Sequence, residues 1–366
     1  MPDHQSKRPE WAPENAGNKF AGRVMDGISS PSPSSSVRSK RKRHTPQELV
    51  DGILSGSRSL LSKAITLVES NSPAHRETAD EVLMALLPHS GSSIRIGITG
   101  TPGAGKSTFI ENFGTRLCEQ SKQVAVLAVD PSSSITQGSI LGDKTRMERL
   151  SRHPDAFIRP SPTGGNLGGV TRKSRETIVL CEAAGFDVIL VETVGVGQNE
   201  TTVRSMVDFF LLLMITGGGD ELQGIKKGVV ELADAILINK ADGDNTIRAE
   251  ATRQEAERAL HYLTPATPGW TPLSLKCSSI TGEGVDAVWK MIDTFQRQLS
   301  ESGQLTANRN QQRLDWMHAM IEQQLIRNFY ADPQVAKALV GIRERVLAGD
   351  LPASAAADAL LQLFQP

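Results

Sequence analysis

The sequence predicts an α/β fold in which a mostly parallel central sheet is flanked by helices. Between residues 94 and about 298, strand-like segments alternate with helical ones, and the strand-like segments are almost continuously apolar. Strands of this kind are buried on both faces, as in parallel sheets covered by helices. A glycine-rich turn between the first strand and a helix indicates where a ligand binds, because such sheets bind ligands at the carboxyl ends of their strands.

Each predicted strand is a short apolar run that ends at a polar or glycine-rich segment. The six runs, in chain order, are IRIGITG (94–100), VAVLAVD (124–130), DVILVET (187–193), FFLLLMI (209–215), DAILINK (234–240) and LSLKCSS (273–279). The run at 209–215 is much shorter than the roughly 18 apolar residues that a membrane-spanning helix needs. The sequence therefore predicts no membrane span.

Helical or polar segments surround this core, which we place at residues 91–300. Residues 1–44 are rich in Pro, Ser, Gly and charge, so a disordered tail is expected there. Residues 45–90 are predicted as a helical extension, because TPQE at 45–48 fits a capping box and apolar residues recur at helical spacing up to Val68. A second helix is expected over 74–87, ending at Pro88.

The C-terminal residues 301–366 are predicted as a helical arm. One apolar stripe runs along it, formed by Leu314, Met317, Ile321, Leu325 and Ile326. Two interpretations remain open: the arm forms a homodimer through this stripe, or it folds back onto the core.

Composition restricts the classes of function. The 366 residues carry a formal net charge of -1, which argues against a general nucleic-acid or membrane-surface binder. The three cysteines are far apart and match no metal-ligand spacing, so a reducing compartment is expected. We expect the cytoplasm, with an organelle as the alternative.

The turn at residues 100–107 reads GTPGAGKS and fits the phosphate-binding pattern G-x-x-x-x-G-K-[ST]. Its glycines let backbone amides point into one concavity, and the following helix adds its positive end. Lys106 is expected to reach the outer phosphates, and the Ser107 hydroxyl to hold Mg²⁺. The predicted phosphate-contacting residues are Gly100, Thr101, Pro102, Gly103, Ala104, Gly105, Lys106, Ser107 and Thr108.

Three carboxylates are candidates for the metal and for catalysis, together with Lys106 and Ser107. Asp130 and Glu192 end strands, and Asp143 lies in GDKTRM. Carboxylates beside one phosphate site repel each other unless a cation is present, which is why we group them with Mg²⁺. The alternative for each is a helix cap or an ordinary loop carboxylate. Gly195, after the strand of Glu192, is expected to approach the γ-phosphate.

The segment NKAD at 239–242 predicts the base. The Asp242 carboxylate can accept two hydrogen bonds from guanine, whereas adenine offers no such pair of donors. Asn239 can bond the purine edge, and the Lys240 stem can lie over the base. The loop CSSITGEG at 277–284 is expected to complete the pocket through Ser278, Ser279 and Ile280. The predicted ligand is GTP or GDP with Mg²⁺.

Together these motifs resemble the P-loop GTPases that act as chaperones of cobalamin-dependent acyl-CoA mutases. The resemblance covers residues 45 to about 350 and also includes VAVLAVDPSS, GGNLGG, ETVGVGQ and GGGDELQGIKKG. It implies a GTPase core, a dimerising C-terminal arm and a mutase of the methylmalonyl-CoA type as partner. It also implies phosphate binding by Lys106, and roles for Ser107, Asp130, Asp143 and Glu192 in managing magnesium and the switch regions.

One departure from small GTPases concerns hydrolysis. Their switch glycine is followed by a glutamine that orients water, whereas Val196 follows Gly195 here and the nearest glutamine is Gln198. Slow intrinsic hydrolysis that a docked mutase accelerates is therefore expected. The competing function is a kinase or ATPase linked to basic amino-acid transport, which Asp242 disfavours. A metal-insertion GTPase is disfavoured because the seven histidines show no ligand-like spacing.

Overall fold

A computed structural model of the protein describes residues 44–129, 147–160, 167–193, 199–216 and 227–364. The tail predicted for residues 1–44 lies outside this range except for His44.

A seven-stranded sheet forms the centre of the chain, with strand order β3-β2-β4-β1-β5-β6-β7. All of its strand pairs are parallel, which confirms the predicted α/β class. The strands are β1 (Ile94–Gly100), β2 (Val124–Val129), β3 (Ala156–Arg159), β4 (Val188–Thr193), β5 (Phe209–Met214), β6 (Ala235–Ile238) and β7 (Leu273–Lys276).

Helices flank both faces of the sheet. Those within the core are α4 (Lys106–Glu119), α5 (Glu148–Arg152), α6 (Leu167–Ala183), α7 (Asn199–Arg204), α8 (Lys227–Glu231), α9 (Thr246–His261) and α10 (Val285–Glu301). One buried cluster joins α4 and α10 to the sheet through Phe109, Phe113 and Phe295. Burying three aromatic side chains in one layer contributes strongly to holding both helices on that face.

The N-terminal extension forms three helices, α1 (Pro46–Leu54), α2 (Arg58–Val68) and α3 (Pro73–Leu86), followed by a 3₁₀ turn at Leu87–His89. The predicted capping box is present, because Thr45 accepts from the Glu48 amide and the Glu48 carboxylate accepts from the Thr45 amide. The apolar periodicity from Leu49 to Val68 is split at Gly56, whose φ of 78° ends α1. These helices pack on the sheet face opposite α4.

The C-terminal residues form α11 (Gln304–Ala331), α12 (Pro333–Ala348) and α13 (Ala353–Leu363). Asp332 separates the first two, and its carboxylate caps α12 by accepting from the amides of Gln334 and Val335. The predicted apolar stripe remains exposed on α11, where all five of its residues are about half accessible: Leu314, Met317, Ile321, Leu325 and Ile326. None of the described helices is long and apolar enough to cross a membrane.

The beginning of α11 is fixed to the core by a buried ion pair. Arg309 donates to both carboxylate oxygens of Asp208, which precedes β5, and to the carbonyl oxygens of Gly91 and Ser93. A second pair, Arg95 with Glu182, lies beside it. These contacts fold the base of the arm onto the edge of the sheet where the strands begin.

Candidate nucleotide site

The phosphate loop joins the end of β1 to the start of α4, as predicted. At Gly100 a Cβ atom would lie 2.3 Å from the carbonyl oxygen of Leu213 on β5, so only glycine fits there. Gly105 has a φ of 86° and precedes the first residue of α4. Ala104 is fully buried, whereas Pro102, Gly103 and Thr108 are exposed. The loop thus lies at the carboxyl end of β1, next to the N-terminus of α4.

Lys106, the first residue of α4, folds its ammonium group over this loop. Its Nζ donates to the carbonyl oxygens of Gly100 and Thr101, at 2.7 and 3.3 Å. Burial lowers the pKa of Lys106, while the carboxylates of Glu192 and Glu200 raise it. A cation that is partly desolvated beside a concave backbone is well suited to anionic phosphate oxygens.

Ser107 and Glu192, two of the predicted metal ligands, lie together. The Ser107 hydroxyl donates to Glu192 Oε1 over 3.0 Å, which joins the first turn of α4 to the end of β4. Glu192 is only 5% exposed. Hydroxyl and carboxylate oxygens are the hard ligands that Mg²⁺ prefers, so this pair fits a magnesium triphosphate.

Asp130, Asp143 and Gly195 lie outside the described residues, so their predicted roles remain predictions. The described residues contain no group of three or more His, Cys, Asp or Glu side chains able to hold a metal ion.

Asn239 follows β6 and connects two parts of the candidate site. Its Nδ2 donates to the carbonyl oxygen of Ala104 over 2.8 Å, and its Oδ1 accepts from the amide and hydroxyl of Ser279. Asn239 is completely buried. One N–H of its side-chain amide is thus used to hold the phosphate loop, a structural role that the sequence did not predict. The other N–H suits the predicted contact with a purine edge.

The Asp242 carboxylate has one unsatisfied oxygen. Its Oδ1 is buried and has no hydrogen-bond donor among the described residues. A buried carboxylate oxygen without a donor is costly, and guanine offers two N–H groups that would satisfy it. The preceding Lys240 is exposed and has a φ of 58°, a backbone conformation rare for residues other than glycine.

The loop after β7 brings the other predicted base-pocket residues beside Asn239. Ser278 and Ser279 are buried, whereas Ile280 is 76% exposed. The turn is held by hydrogen bonds from the Gly282 amide to the Ser278 carbonyl and from the Thr281 amide to the Ser278 hydroxyl. The candidate residues of the phosphate loop, NKAD and this loop are therefore joined through Asn239.

Sequence reasoning did not identify two further groups near the phosphate loop. Glu200 on α7 is 1% exposed and close enough to Lys106 to raise its pKa. The hydroxyl of Thr193, at the end of β4, donates to Thr99 on β1 over 2.8 Å. Both pairings join segments far apart in sequence, and no local motif marks them.

Comparison with known proteins identifies related GTPases. The family model described as methylmalonyl Co-A mutase-associated GTPase MeaB matches residues 61–334. The Escherichia coli K12 protein named GTPase ArgK is 49% identical over 288 residues, covering 79% of this chain and 87% of that protein. A Mus musculus protein named methylmalonic aciduria type A homolog, mitochondrial, is 44% identical over 337 residues, covering 89% and 81%.

A solved structure has the same architecture. The crystal structure named LAO/AO transport system kinase has a TM-score of 0.72 and 38% sequence identity, and covers 89% of this chain and 99% of that chain. The family model spans about three quarters of the chain, and the relatives align over most of their own lengths. The chain therefore belongs to the family of methylmalonyl-CoA mutase-associated GTPases.

Proposed function

We propose that this chain binds and hydrolyses GTP as a chaperone of a cobalamin-dependent acyl-CoA mutase of the methylmalonyl-CoA type. It gates loading of the cobalamin cofactor and protects or reactivates the mutase, and does no chemistry on the acyl-CoA. The family name supports the partner, because it describes GTPases that associate with methylmalonyl-CoA mutase.

The observation that carries the nucleotide part of the proposal is the buried Oδ1 of Asp242, which has no donor among the described residues. Guanine supplies donors for it, and Asn239 links this end of the site to the phosphate loop. Binding of the base therefore stabilises the same loop that holds the phosphates. Gly100, Gly103 and Gly105 shape that loop, and the backbone N–H groups of Gly103 and of residues 105–108 are its proposed donors; Pro102 has no N–H, and the Ala104 N–H donates to the Thr101 carbonyl oxygen.

Magnesium would be held by Ser107 and Glu192, with Asp130 and Asp143 as further carboxylates. Bound Mg²⁺ supplies charge stabilisation at the phosphoryl oxygens. Lys106 binds the outer phosphates, and Gly195 approaches the γ-phosphate. Val196, not glutamine, follows Gly195 in the sequence. Intrinsic hydrolysis is therefore slow, and the docked mutase accelerates it.

The oligomeric state belongs to the same proposal. The exposed stripe of α11 pairs with that of a second copy, so that the C-terminal residues 301–366 act as a dimerisation arm. A homodimer would remove half-exposed Leu314, Met317 and Ile321 from water.

Single-turnover hydrolysis of GTP, with and without methylmalonyl-CoA mutase, tests the chaperone function. The mutase is expected to raise the rate and to co-purify with the chain in the presence of a non-hydrolysable GTP analogue. Lys106→Ala, which removes the phosphate-loop ammonium, serves as the inactive control. Equal rates with and without mutase, together with no co-purification, would rule out the chaperone function.

A second candidate function is an ATP-dependent kinase of basic amino-acid transport, because one similar structure carries the name LAO/AO transport system kinase. Asp242 distinguishes the two functions, since adenine cannot satisfy its carboxylate. Competition of ATP and GTP for the site, measured by equilibrium binding, decides between them. Preference for ATP would favour the kinase.

A further inference from the structure

A second cleft lies between the arm and the core, at the edge of the sheet where the strands begin. Its volume is about 440 Å³, which is within the range of small-molecule sites. Arg95 lines it from the second residue of β1, whereas the phosphate loop begins after Gly100. Five residues of extended strand separate the two positions by roughly 16 Å. The cleft is therefore distinct from the nucleotide site.

The wall of this cleft combines arginines with apolar side chains. The arginines come from β1, α6 and α11, and the apolar residues include an indole ring from α11. The arginines are Arg95, Arg175, Arg309 and Arg313, and the apolar residues are Leu87, Ile178, Val179, Met206 and Trp316. Four guanidinium groups around one cavity repel each other unless anionic groups offset them.

Buried carboxylates offset the positive charges of two of the four arginines. Glu182 accepts from Arg95 through both oxygens at 2.9 Å, and Asp208 accepts twice from Arg309. Both carboxylates are buried, so these pairs are strong and fixed. Their lone pairs are also engaged by other donors, including the Ser93 hydroxyl on Glu182 and the Arg95 amide on Asp208.

Among the described residues, Arg175 has no such carboxylate partner. It donates to the carbonyl oxygens of Gln312 and Ser205 and to the Ser205 hydroxyl, all of which are uncharged. Its Nε is buried and has no acceptor among the described residues. Burial and the like charge of Arg95 lower the pKa of Arg175 to about 10, while Asp315 raises it. The side chain nevertheless stays charged at neutral pH.

Arg313 and Trp316 complete the cleft on the α11 side. In the described part of the chain, the Arg313 guanidinium donates to the side-chain oxygen of Asn310, which is uncharged. The Trp316 ring lies 5.5 Å from the guanidinium carbon of Arg175. In the part of the chain that the structure describes, neither cation is paired with a carboxylate. An aromatic ring beside two such cations suits a ligand that is anionic at one end and apolar or aromatic at the other.

We propose that the cleft between α6 and α11 binds a small organic anion, a carboxylate or phosphate joined to an apolar or aromatic group. Arg175 and Arg313 bind the anionic group, and Trp316 with Met206 and Ile178 packs against the apolar group. Because the ligand touches both α6 and α11, its binding would add to the Arg309–Asp208 contacts that already hold the base of the arm on the core. The proposal does not depend on the identity of the nucleotide or of the mutase.

Fluorine NMR of the full chain, labelled with 5-fluorotryptophan and saturated with GDP and Mg²⁺, tests this site. The Trp316 resonance is assigned by Trp316→Phe, and phenyl phosphate is the probe. Phenol and inorganic phosphate are the matched ligands that lack the charge or the ring. Phenyl phosphate is expected to shift the Trp316 resonance saturably, with weaker binding of both controls.

Substitutions test whether the two arginines cause the shift of the Trp316 resonance by binding phenyl phosphate. Arg313→Gln and Arg175→Gln should each weaken phenyl phosphate binding by about tenfold, the loss expected for one charge-assisted hydrogen bond. Arg343→Gln, an exposed arginine on α12, should leave it unchanged. Arg313 is exposed, so Arg313→Gln should not disturb folding. It tests the role of the arginines in phenyl phosphate binding if Arg175→Gln does not fold.

Three results would overturn the proposal. The first is the absence of a saturable Trp316 shift up to about 10 mM phenyl phosphate, a concentration that detects even weak binding. The second is binding of phenol or inorganic phosphate as tight as that of phenyl phosphate. The third is an affinity of Arg313→Gln equal to that of Arg343→Gln.

Discussion

The side chain of Asn239 donates to the carbonyl oxygen of Ala104 over 2.8 Å, so the end of β6 holds the phosphate loop directly. The same side chain accepts from Ser279 in the loop after β7. A residue expected to read the base thus also fixes the segment that receives the phosphates. The two halves of the candidate site share one buried side chain, and loss of that side chain should disturb both.

Asn239→Ala should destabilise the nucleotide-free protein by about 2–4 kcal/mol, because the buried partners Ala104 and Ser279 each lose a hydrogen bond. Denaturant unfolding measures this change. The matched control is Asn328→Ala, since Asn328 is exposed and its side chain accepts one bond from Gln324. Equal stability of the two variants would show that the bonds of Asn239 do not hold the loop.

Comparing alanine substitutions at two glycines of the phosphate loop distinguishes the cost of backbone strain from the cost of a steric clash. Gly103 and Gly105 have φ values of 82° and 86°, so alanine at either position costs about 1 kcal/mol in backbone strain. At Gly105 the added Cβ would also lie 2.7 Å from Asn239 Nδ2, whereas at Gly103 it meets no atom within 4 Å.

Gly105→Ala should therefore lower the free energy of unfolding by about 1–3 kcal/mol more than Gly103→Ala. Denaturant unfolding of both variants without nucleotide measures the difference. The second variant is the control for the strain that both share. A difference near zero would mean that Asn239 moves aside without cost.

Local patterns in the sequence identify most of the sheet, and their failures have physical causes. The six predicted strands are present, but β3 was missed because its four residues AFIR lie at the sheet edge and three are partly exposed. Such a strand has no continuous apolar run. The sequence predicted the helical arm but not the ion pair that holds it on the core, because Arg309 and Asp208 lie 101 residues apart in sequence.

In the candidate site, too, local motifs could be predicted from the sequence, whereas contacts between distant residues could not. The phosphate loop and NKAD are local motifs, and the Asn239 side chain of NKAD contacts the backbone of the phosphate loop at Ala104. The pairing of Ser107 with Glu192 and the bond from Asn239 to Ala104 depend on which strands are neighbours. Strand order is fixed by packing of the whole chain, so no single motif contains it. The roles of Asp130, Asp143 and Gly195 remain predictions.

Ser107→Ala should lower the affinity for GTP about tenfold or more in the presence of Mg²⁺, because the hydroxyl proposed as a metal ligand is lost. In excess EDTA the affinity should match that of the unchanged protein. Glu192→Gln keeps the size of the side chain but removes its charge, and should show the same dependence on metal. Isothermal titration measures both conditions. A loss of affinity of the same size in EDTA would contradict a metal-binding role.

Ile321→Glu should convert the proposed dimer into a monomer, because a charge would be buried in the apolar stripe of α11. Multi-angle light scattering on eluting protein measures the mass. Gln323→Glu adds a charge on the opposite side of the same helix and should leave the mass unchanged. A monomeric unchanged protein, or a dimer that persists in Ile321→Glu, would contradict dimerisation through this stripe.

Asp242→Asn should change the preferred base from guanine to xanthine. The carboxylate offers two acceptors, which match the ring N–H and the exocyclic amine of guanine. Asparagine offers one acceptor and one donor, which match the ring N–H and the 2-carbonyl of xanthine. GTP affinity should fall by at least about a hundredfold, the loss expected for a mismatched buried pair.

Equilibrium binding of Asp242→Asn with GTP, XTP and ATP measures the change in base preference. Asp244→Asn, two residues further along the same loop, is the matched control and should keep its preference for GTP. Unchanged preference in Asp242→Asn would mean that the buried oxygen of Asp242 does not contact the base.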